Sequence, residues 1–318
     1  MAIEMQQLTH VCAVADHGQI AAAARAIAIT QPALSRSIRN LEETLGVALF
    51  ERSRQGVALT SYGITFLAHA RAIVNEVTRA QESVDALRGL ATGRVSLGLS
   101  ANFDKYLLPE ALGTLLTANP GISVVSITGF YEDLAVRVRT GELDFAFVLL
   151  PVVHGNPDLT EDEILSVRYH VYASVHHPLA RRRALTLADI AAYNWVMPDQ
   201  PSIRIFDRYF ETAGLPPPRL AIRTTSMTLL LATIQSCELL SMLPDHMMEH
   251  EVAAGKVVAL DVRSLPEEKC AALVYRTGAV HSPAARALMD TIRDYCARRA
   301  ERANGNETNP ASCQVPAT

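Results

Sequence analysis

The chain has 318 residues, 49% hydrophobic and 19% charged, with a net charge of −4; this fits a soluble globular protein with room for two or more domain cores. No apolar run reaches the ~18 residues of a membrane span. The opening MAIEMQQLTH lacks the basic-then-apolar pattern of a secretory signal, so a cytoplasmic location is expected. Five cysteines, at 12, 237, 270, 296 and 313, show no zinc-finger or CxxC spacing and read as free thiols, with a redox pair of Cys237 and Cys270 as the alternative.

Leu8, Val11, Cys12 and Ala15 form one stripe and predict a first helix over about 5–16, broken by Gly18. Ile20 to Ala28 is almost all alanine and isoleucine, a second short helix that a neighbour can approach closely. Thr30 can cap a third helix, and Pro32 fits its first turn. Leu34, Ile38, Leu41 and Leu45 recur at spacings of three and four and point inward. Gln31, Pro32, Ser35, Arg36 and Arg39 then share the outward face. Gln and Arg on a short capped helix suit the major groove, where Gln pairs with adenine and Arg with guanine through two bonds each. An ordinary amphipathic hairpin is the plain alternative.

Charge supports the groove reading locally rather than globally. Residues 1–92 hold eight Arg, no Lys and eight acids, so the segment is neutral; yet no acid lies in 20–41 or in 52–75. Residues 51–60 place a Gly turn between two short extended pieces and predict a β-wing, whose Arg52 and Arg54 are either placed for phosphate or minor groove or belong to a solvated surface turn. A long helix follows, from Ser61 to about Leu90. Phe66, Ala70, Ile73, Val77, Ala80, Val84 and Leu87 alternate spacings of four and three, a heptad seam that predicts pairing with a second copy, with a long helix packed on its own domain as the plain alternative. The helix would span ~45 Å.

The block AITQPALSRSIRNLEETLGVALFER, with VALTSYGITFLAHA after it, resembles the amino-terminal part of LysR-type transcriptional regulators over residues 4–100. Gln19 departs from the small capping residue usual there. The resemblance implies an α plus α/β chain. It has an amino-terminal winged helix-turn-helix (1–60), a linker and dimerisation helix (61–92), and a two-lobed α/β effector-binding domain like that of periplasmic binding proteins (93–300). Lobe I would comprise about 93–165 and 269–300, and lobe II about 166–268, with 301–318 a loose tail. It implies double-stranded DNA, a small-molecule effector, a second copy of the chain (often two dimers as a tetramer) and RNA polymerase as partners.

Beyond Gly93 the periodicity changes. VSLGL, SVVSIT and DFAFVLL read as strands alternating with helices near 107–118 and 134–139, and the alternation continues through 165–175, LAIRT and LLSMLP to a final helix near 282–299. Phrases such as LPEALGTLLTANPGISV, GELDFAFV, HHPLA and MLPDHM carry the family resemblance here. In α/β sheets, ligands lie beyond the carboxyl ends of strands, near helix amino termini. That places candidate effector contacts at Ser100, Ala101 and Asn102, at Thr128, at Pro201, Ser202 and Ile203, and at Thr225, Ser226 and Met227. Hydroxyls and free N–H groups there suit an anion such as a carboxylate; simple helix capping is the competing role. The family often has a glycine-containing turn before the Leu-Pro at 243–244, whereas this chain reads Ser-Cys-Glu-Leu-Leu at 236–240.

Enzyme-like signals are weak. His246-Met-Met-Glu249-His250 matches the H-x-x-E-H zinc spacing without an evident third ligand, and His170, His176 and His177 read as strand and turn residues. The sequence carries no nucleophile elbow, phosphate loop or dinucleotide fingerprint, so neither catalysis nor a cofactor is expected. A cytoplasmic small-molecule-binding protein or enzyme on a two-lobed fold is the competing class.

Overall fold

Three helices open the chain: α1 (Met5–His17), α2 (Ile20–Ala26) and α3 (Gln31–Leu45). The computed structural model describes residues 3–53, 56–87, 93–105, 107–151, 154–199, 203–263 and 268–304. Gly18 and Gly46 end α1 and α3 in the left-handed conformation, at φ +63° and +71°, where a side chain would be strained. Thr30 caps α3 by accepting a hydrogen bond from the Ala33 N–H. The inward face is as spaced: Leu34, Ile38 and Leu41 are buried with Val11, Val14, Ala23 and Ala24 in the head core. Glu42 closes the far end of α3 by accepting from the Leu49 and Phe50 N–H groups at 2.7 and 3.1 Å.

An antiparallel hairpin of β1 (Phe50–Ser53) and β2 (Gly56–Leu59) follows. The Val57 N–H donates to the Gly18 carbonyl at 2.8 Å, which seats the wing on the α1–α2 turn. α4 (Ser61–Leu87) then starts against the head: a Cβ at Gly63 would fall 2.0 Å from the Leu49 carbonyl oxygen. Leu67 joins the head core, Phe66 packs against it, and Ala70 is fully buried.

The predicted seam therefore divides. Phe66 packs against the chain's own head core and Ala70 is fully buried within the chain, as an ordinary core stripe with the same spacings of three and four would be. Ile73, Val77 and Val84 stay open to solvent, at 48%, 48% and 56% exposure, and Ala80 is exposed beside them. The side chain of Leu87 lies outside the described residues.

β3 (Gly93–Leu99), α5 (Leu108–Ala118), β4 (Ile122–Thr128), α6 (Tyr131–Arg139) and β5 (Phe145–Leu149) build a parallel three-strand sheet with β3 in the middle. β6 (Leu159–Ser174) is a long strand that leaves this sheet for the second lobe. It begins earlier than the predicted 165, because the acids of Thr-Glu-Asp-Glu at 160–163 mask the pattern. Two of those three acids are partnered: Glu161 accepts from Tyr131 and contacts His154, and Asp162 pairs with Arg293.

The second lobe contains α7 (Leu187–Ala191), β7 (Trp195–Pro198), α8 (Ile203–Thr212), β8 (Leu220–Thr224), α9 (Met227–Ser236), β9 (Ser241–Pro244), α10 (Asp245–Ala253) and β10 (Val257–Ala259). β11 (Glu268–Arg276) returns antiparallel between β6 and β5, and α11 (Pro283–Asn304) finishes the described chain. α11 continues through residues 301–304, into the predicted tail, the remainder of which lies outside the described residues.

Each lobe sheet buries apolar clusters. In the first, Val95, Leu97, Phe145 and Phe147 pack with α5 and α11, while Ala146, Val148 and Val274 pack with α6. In the second, Trp195 packs on Phe206 and Phe210, and its indole N–H donates to the Ile190 carbonyl at 3.1 Å. A fully buried Leu or Phe of this kind contributes roughly 2 kcal/mol. Because sequence alternation gives both sheet faces an apolar set, each sheet must be covered on two sides, which fixes helices above and below it.

Candidate DNA interface and effector cleft

The groove helix presents the predicted set outward. Thr30, Gln31, Pro32, Arg36 and Arg39 are exposed, and Ser35 is half-buried at the edge of the face. Among the described residues neither Arg36 nor Arg39 is held in an ion pair, so both guanidinium groups are available to bases or phosphates. The opposite face is fixed by the core and by His10, whose Nδ1 lies 2.7 Å from Ser37 Oγ. Arg52 sits on β1 with its side chain undescribed, and Arg54 lies outside the described residues, so the wing's reach is read from the sequence.

In the first lobe, parallel pairing brings the ends of β3, β4 and β5 side by side: Leu99 lies beside Thr128 and beside Phe147. Thr128 is exposed, whereas Ser100 is buried and spends its hydroxyl on the Leu149 N–H at 3.3 Å. Ala101 and Asn102 are half-buried in the loop that follows. In the second lobe, β7 and β8 end together at Pro198 and Thr224, and the Asp199 N–H donates to the Thr224 carbonyl at 3.0 Å. Ser226 caps α9 through the Leu229 N–H, Met227 is half-buried, and Thr225 is exposed. Pro201 and Ser202 lie outside the described residues, and of Ile203 only its place at the start of α8 is described. The capping role of Ser226 and the structural bond of Ser100 are thus both real, and both sit at strand ends.

Several polar residues at these ends were not singled out from the sequence. Arg223 closes β8 and pairs with Asp199. The loop after β3 is tied to α10: His246 Nε2 is 2.7 Å from the Asn102 carbonyl, Phe103 stacks on the His246 ring, and Lys105 Nζ is 3.0 Å from Glu251. The H-x-x-E-H spacing is divided accordingly. His246 is buried with its pKa pushed down to about 4 by desolvation, Glu249 pairs with Arg299, and His250 is exposed. The signal for Arg223 was its place in LAIRT, next to the end of a strand; Lys105 and Glu251 are too far apart in sequence for any local pattern to join them.

A capped helix-turn-helix with a wing, followed by two α/β lobes whose strand ends gather polar groups, defines a DNA-binding regulator with a ligand domain. Residues 5–64 match the model of the bacterial regulatory helix-turn-helix protein, lysR family, and residues 88–297 match that of the LysR substrate binding domain. The chain belongs to the LysR family of transcription regulators, which bind DNA and carry a domain for small-molecule effectors. It is 32% identical over 299 residues to the SDS degradation transcriptional activation protein of Pseudomonas sp. (strain ATCC 19151), covering 93% of this chain and 97% of that one. It is 28% identical over 300 residues to the RuBisCO operon transcriptional regulator of Allochromatium vinosum, at 94% and 98% coverage. The fold matches a full-length OxyR variant from Pseudomonas aeruginosa with a TM-score of 0.72 at 21% identity, covering 93% of this chain and 95% of that one. It also matches CbnR crystallised with its target DNA, with a TM-score of 0.63 at 23% identity and coverages of 92% and 100%. No helix among the described residues is long and apolar enough to cross a membrane.

Proposed function

We propose that the protein is a homo-oligomeric regulator that reads a two-fold operator and responds to an anionic effector held between its lobes. The head would comprise residues 1–60, the linker helix 61–92, and the effector domain 93–300, divided as the sequence suggests. Thr30, Gln31, Pro32, Ser35, Arg36 and Arg39 would meet the major groove, with Arg52 and Arg54 on the wing. Two heads brought together through the predicted seam of α4, exposed at Ile73, Val77, Ala80 and Val84 and continuing in sequence to Leu87, would match half-sites related by the same two-fold axis. RNA polymerase contact follows from family membership alone.

The observation that carries the effector reading is the gathering of Thr128 and the 100–102 loop at one set of strand ends, and of Arg223, Thr225 and Ser226 at another. A carboxylate there would find the free N–H groups of a helix start and, on displacing Asp199, the Arg223 guanidinium. A ligand shifts the lobes only by its differing affinity for their two arrangements.

Footprinting of DNA upstream of the protein's own gene, with and without a panel of small carboxylates, tests the reading. A protected pseudo-palindrome whose extent changes with one compound is expected. Protection that no anion alters, together with no thermal stabilisation by any of them, would overturn the anionic effector. Absence of protection at low salt across that region would overturn self-regulation at this site.

A further inference from the structure

We propose that α4 is held against the first lobe of its own chain by an ionic clasp centred on Arg79 and Asp144, and that β3 and β5 connect this clasp to the effector cleft. The input of the device rests on the cleft reading above; the clasp itself does not.

Asp144 stands just before β5. Its Oδ1 accepts from Arg79 Nε at 2.9 Å and its Oδ2 from the Ser96 N–H at 2.7 Å, while its own N–H donates to the Ser96 carbonyl at 2.8 Å. Both partners are largely out of solvent, with side chains 9% and 12% exposed. Water therefore screens this pair far less than a surface pair. Two turns of α4 add to it. Glu76 meets both Arg79 and Arg276, at 3.3 and 2.9 Å. Asn75 donates to the Gly141 carbonyl, and a Cβ at Gly141 would sit 3.2 Å from the Ala72 Cα, so the 139–144 turn lies directly on the helix. Arg71 binds Asp16 of the head and Glu142 of the lobe with one guanidinium. Head, helix and lobe thus meet at a single side chain.

The other end of the same strands is the cleft. The Ser100 N–H donates to the Phe147 carbonyl at 3.0 Å, and Ser100 Oγ accepts from the Leu149 N–H. β3 and β5 are therefore fastened to each other at both ends, by Ser100 above and by Asp144 below. Between those points β5 covers about 17 Å. Leu97, Phe145, Ala146, Phe147 and Val148 are buried to within 1% of complete, so the pair is packed on both faces and shifts as a unit. Beside the clasp lies a cavity of about 590 Å³ lined in part by Ile73, Glu76, Arg139, Arg276 and Val280. A shift of the cleft strands would reach Asp144, loosen or tighten its hold on Arg79, and re-aim a helix whose first turns belong to the head.

Hydrogen exchange of the full-length protein tests this, read at the amides of residues 74–82, with footprinting on the DNA upstream of its own gene as the second measurement. Asp144→Asn is expected to raise exchange in that stretch at least tenfold and to change the protected length. Ser100→Ala, at the cleft end, is expected to raise it in the same direction by a smaller factor. If Asp144→Asn does not fold, the surface pair Glu76→Gln with Glu142→Gln takes its place, with a smaller rise expected. Wild-type exchange and footprint in a folded clasp variant would overturn the clasp. A clasp variant that responds while Ser100→Ala leaves residues 74–82 unchanged would overturn the strand connection. A wild-type footprint indifferent to every carboxylate would remove the anionic-effector reading and leave the clasp result standing.

Discussion

His10 on α1 and Ser37 on the flank of α3 meet at 2.7 Å, so α3 is aligned by a side chain on the side away from Arg36 and Arg39. His10 is buried, and desolvation lowers its pKa from 6.5. His177 is lowered for the same reason, and His246 falls to about 4. These bases are held neutral in the folded chain and would bind protons when it unfolds. Their contribution is therefore present above pH 6.5 and is lost as pH falls toward the folded values. For His246 the loss between pH 7 and pH 5 is roughly 2 kcal/mol. Urea denaturation at the two pH values should show it, and His246→Gln should remove most of that pH dependence; an equal dependence in the variant would reject the assignment.

Arg36→Ala is expected to lower operator affinity by roughly 5- to 150-fold, the ~1–3 kcal/mol of a bidentate base contact, and to relax base preference at one position per half-site. A titration at fixed salt against matched and mutated half-sites separates this from phosphate loss, which would weaken all sequences alike.

Val77→Asp places a charge on the exposed half of α4. The expected result is dissociation to monomer in sedimentation velocity and a large loss of DNA affinity, with the melting of the effector domain unchanged. A variant sedimenting as wild type would exclude this face as the main contact. Phe66→Ala should behave differently, lowering stability of the head because Phe66 packs on its core.

Leu41→Ala and Thr30→Ala separate core from cap. Leu41 is fully buried, so its truncation should cost about 2–5 kcal/mol. Thr30 accepts one N–H bond, and its loss should cost about 1 kcal/mol. Chemical denaturation of the head signal measures both.

Where the sequence was legible, spacing and chemistry agreed. Leu34, Ile38 and Leu41 could point only inward once Thr30 and Pro32 had set the start of α3. The parallel strands were visible as short apolar runs, VSLGL and DFAFVLL, because both of their faces are covered. Legibility failed where one pattern served two purposes. The four-three repeat of α4 is apolar from Phe66 onward, yet Phe66 packs against the head core and Ala70 is buried, while Ile73, Val77, Ala80 and Val84 remain open. It failed also where charges were spent internally: Glu161, Asp162 and Asp144 look like solvated acids in sequence and are partnered in the fold. Contacts such as Lys105 with Glu251 depend on chain crossing and leave no local trace.

β6 and β11 are adjacent antiparallel strands, paired from Leu159 with Arg276 up to Arg168 with Glu268. In connectivity, then, the entire second lobe is the loop of a single hairpin. A tight turn joining Arg168 to Glu268 would leave the strand order of the first lobe's sheet unchanged. The fold is in that sense a one-lobed domain into which a second lobe has been inserted, and every direct chain connection to the head runs through the first.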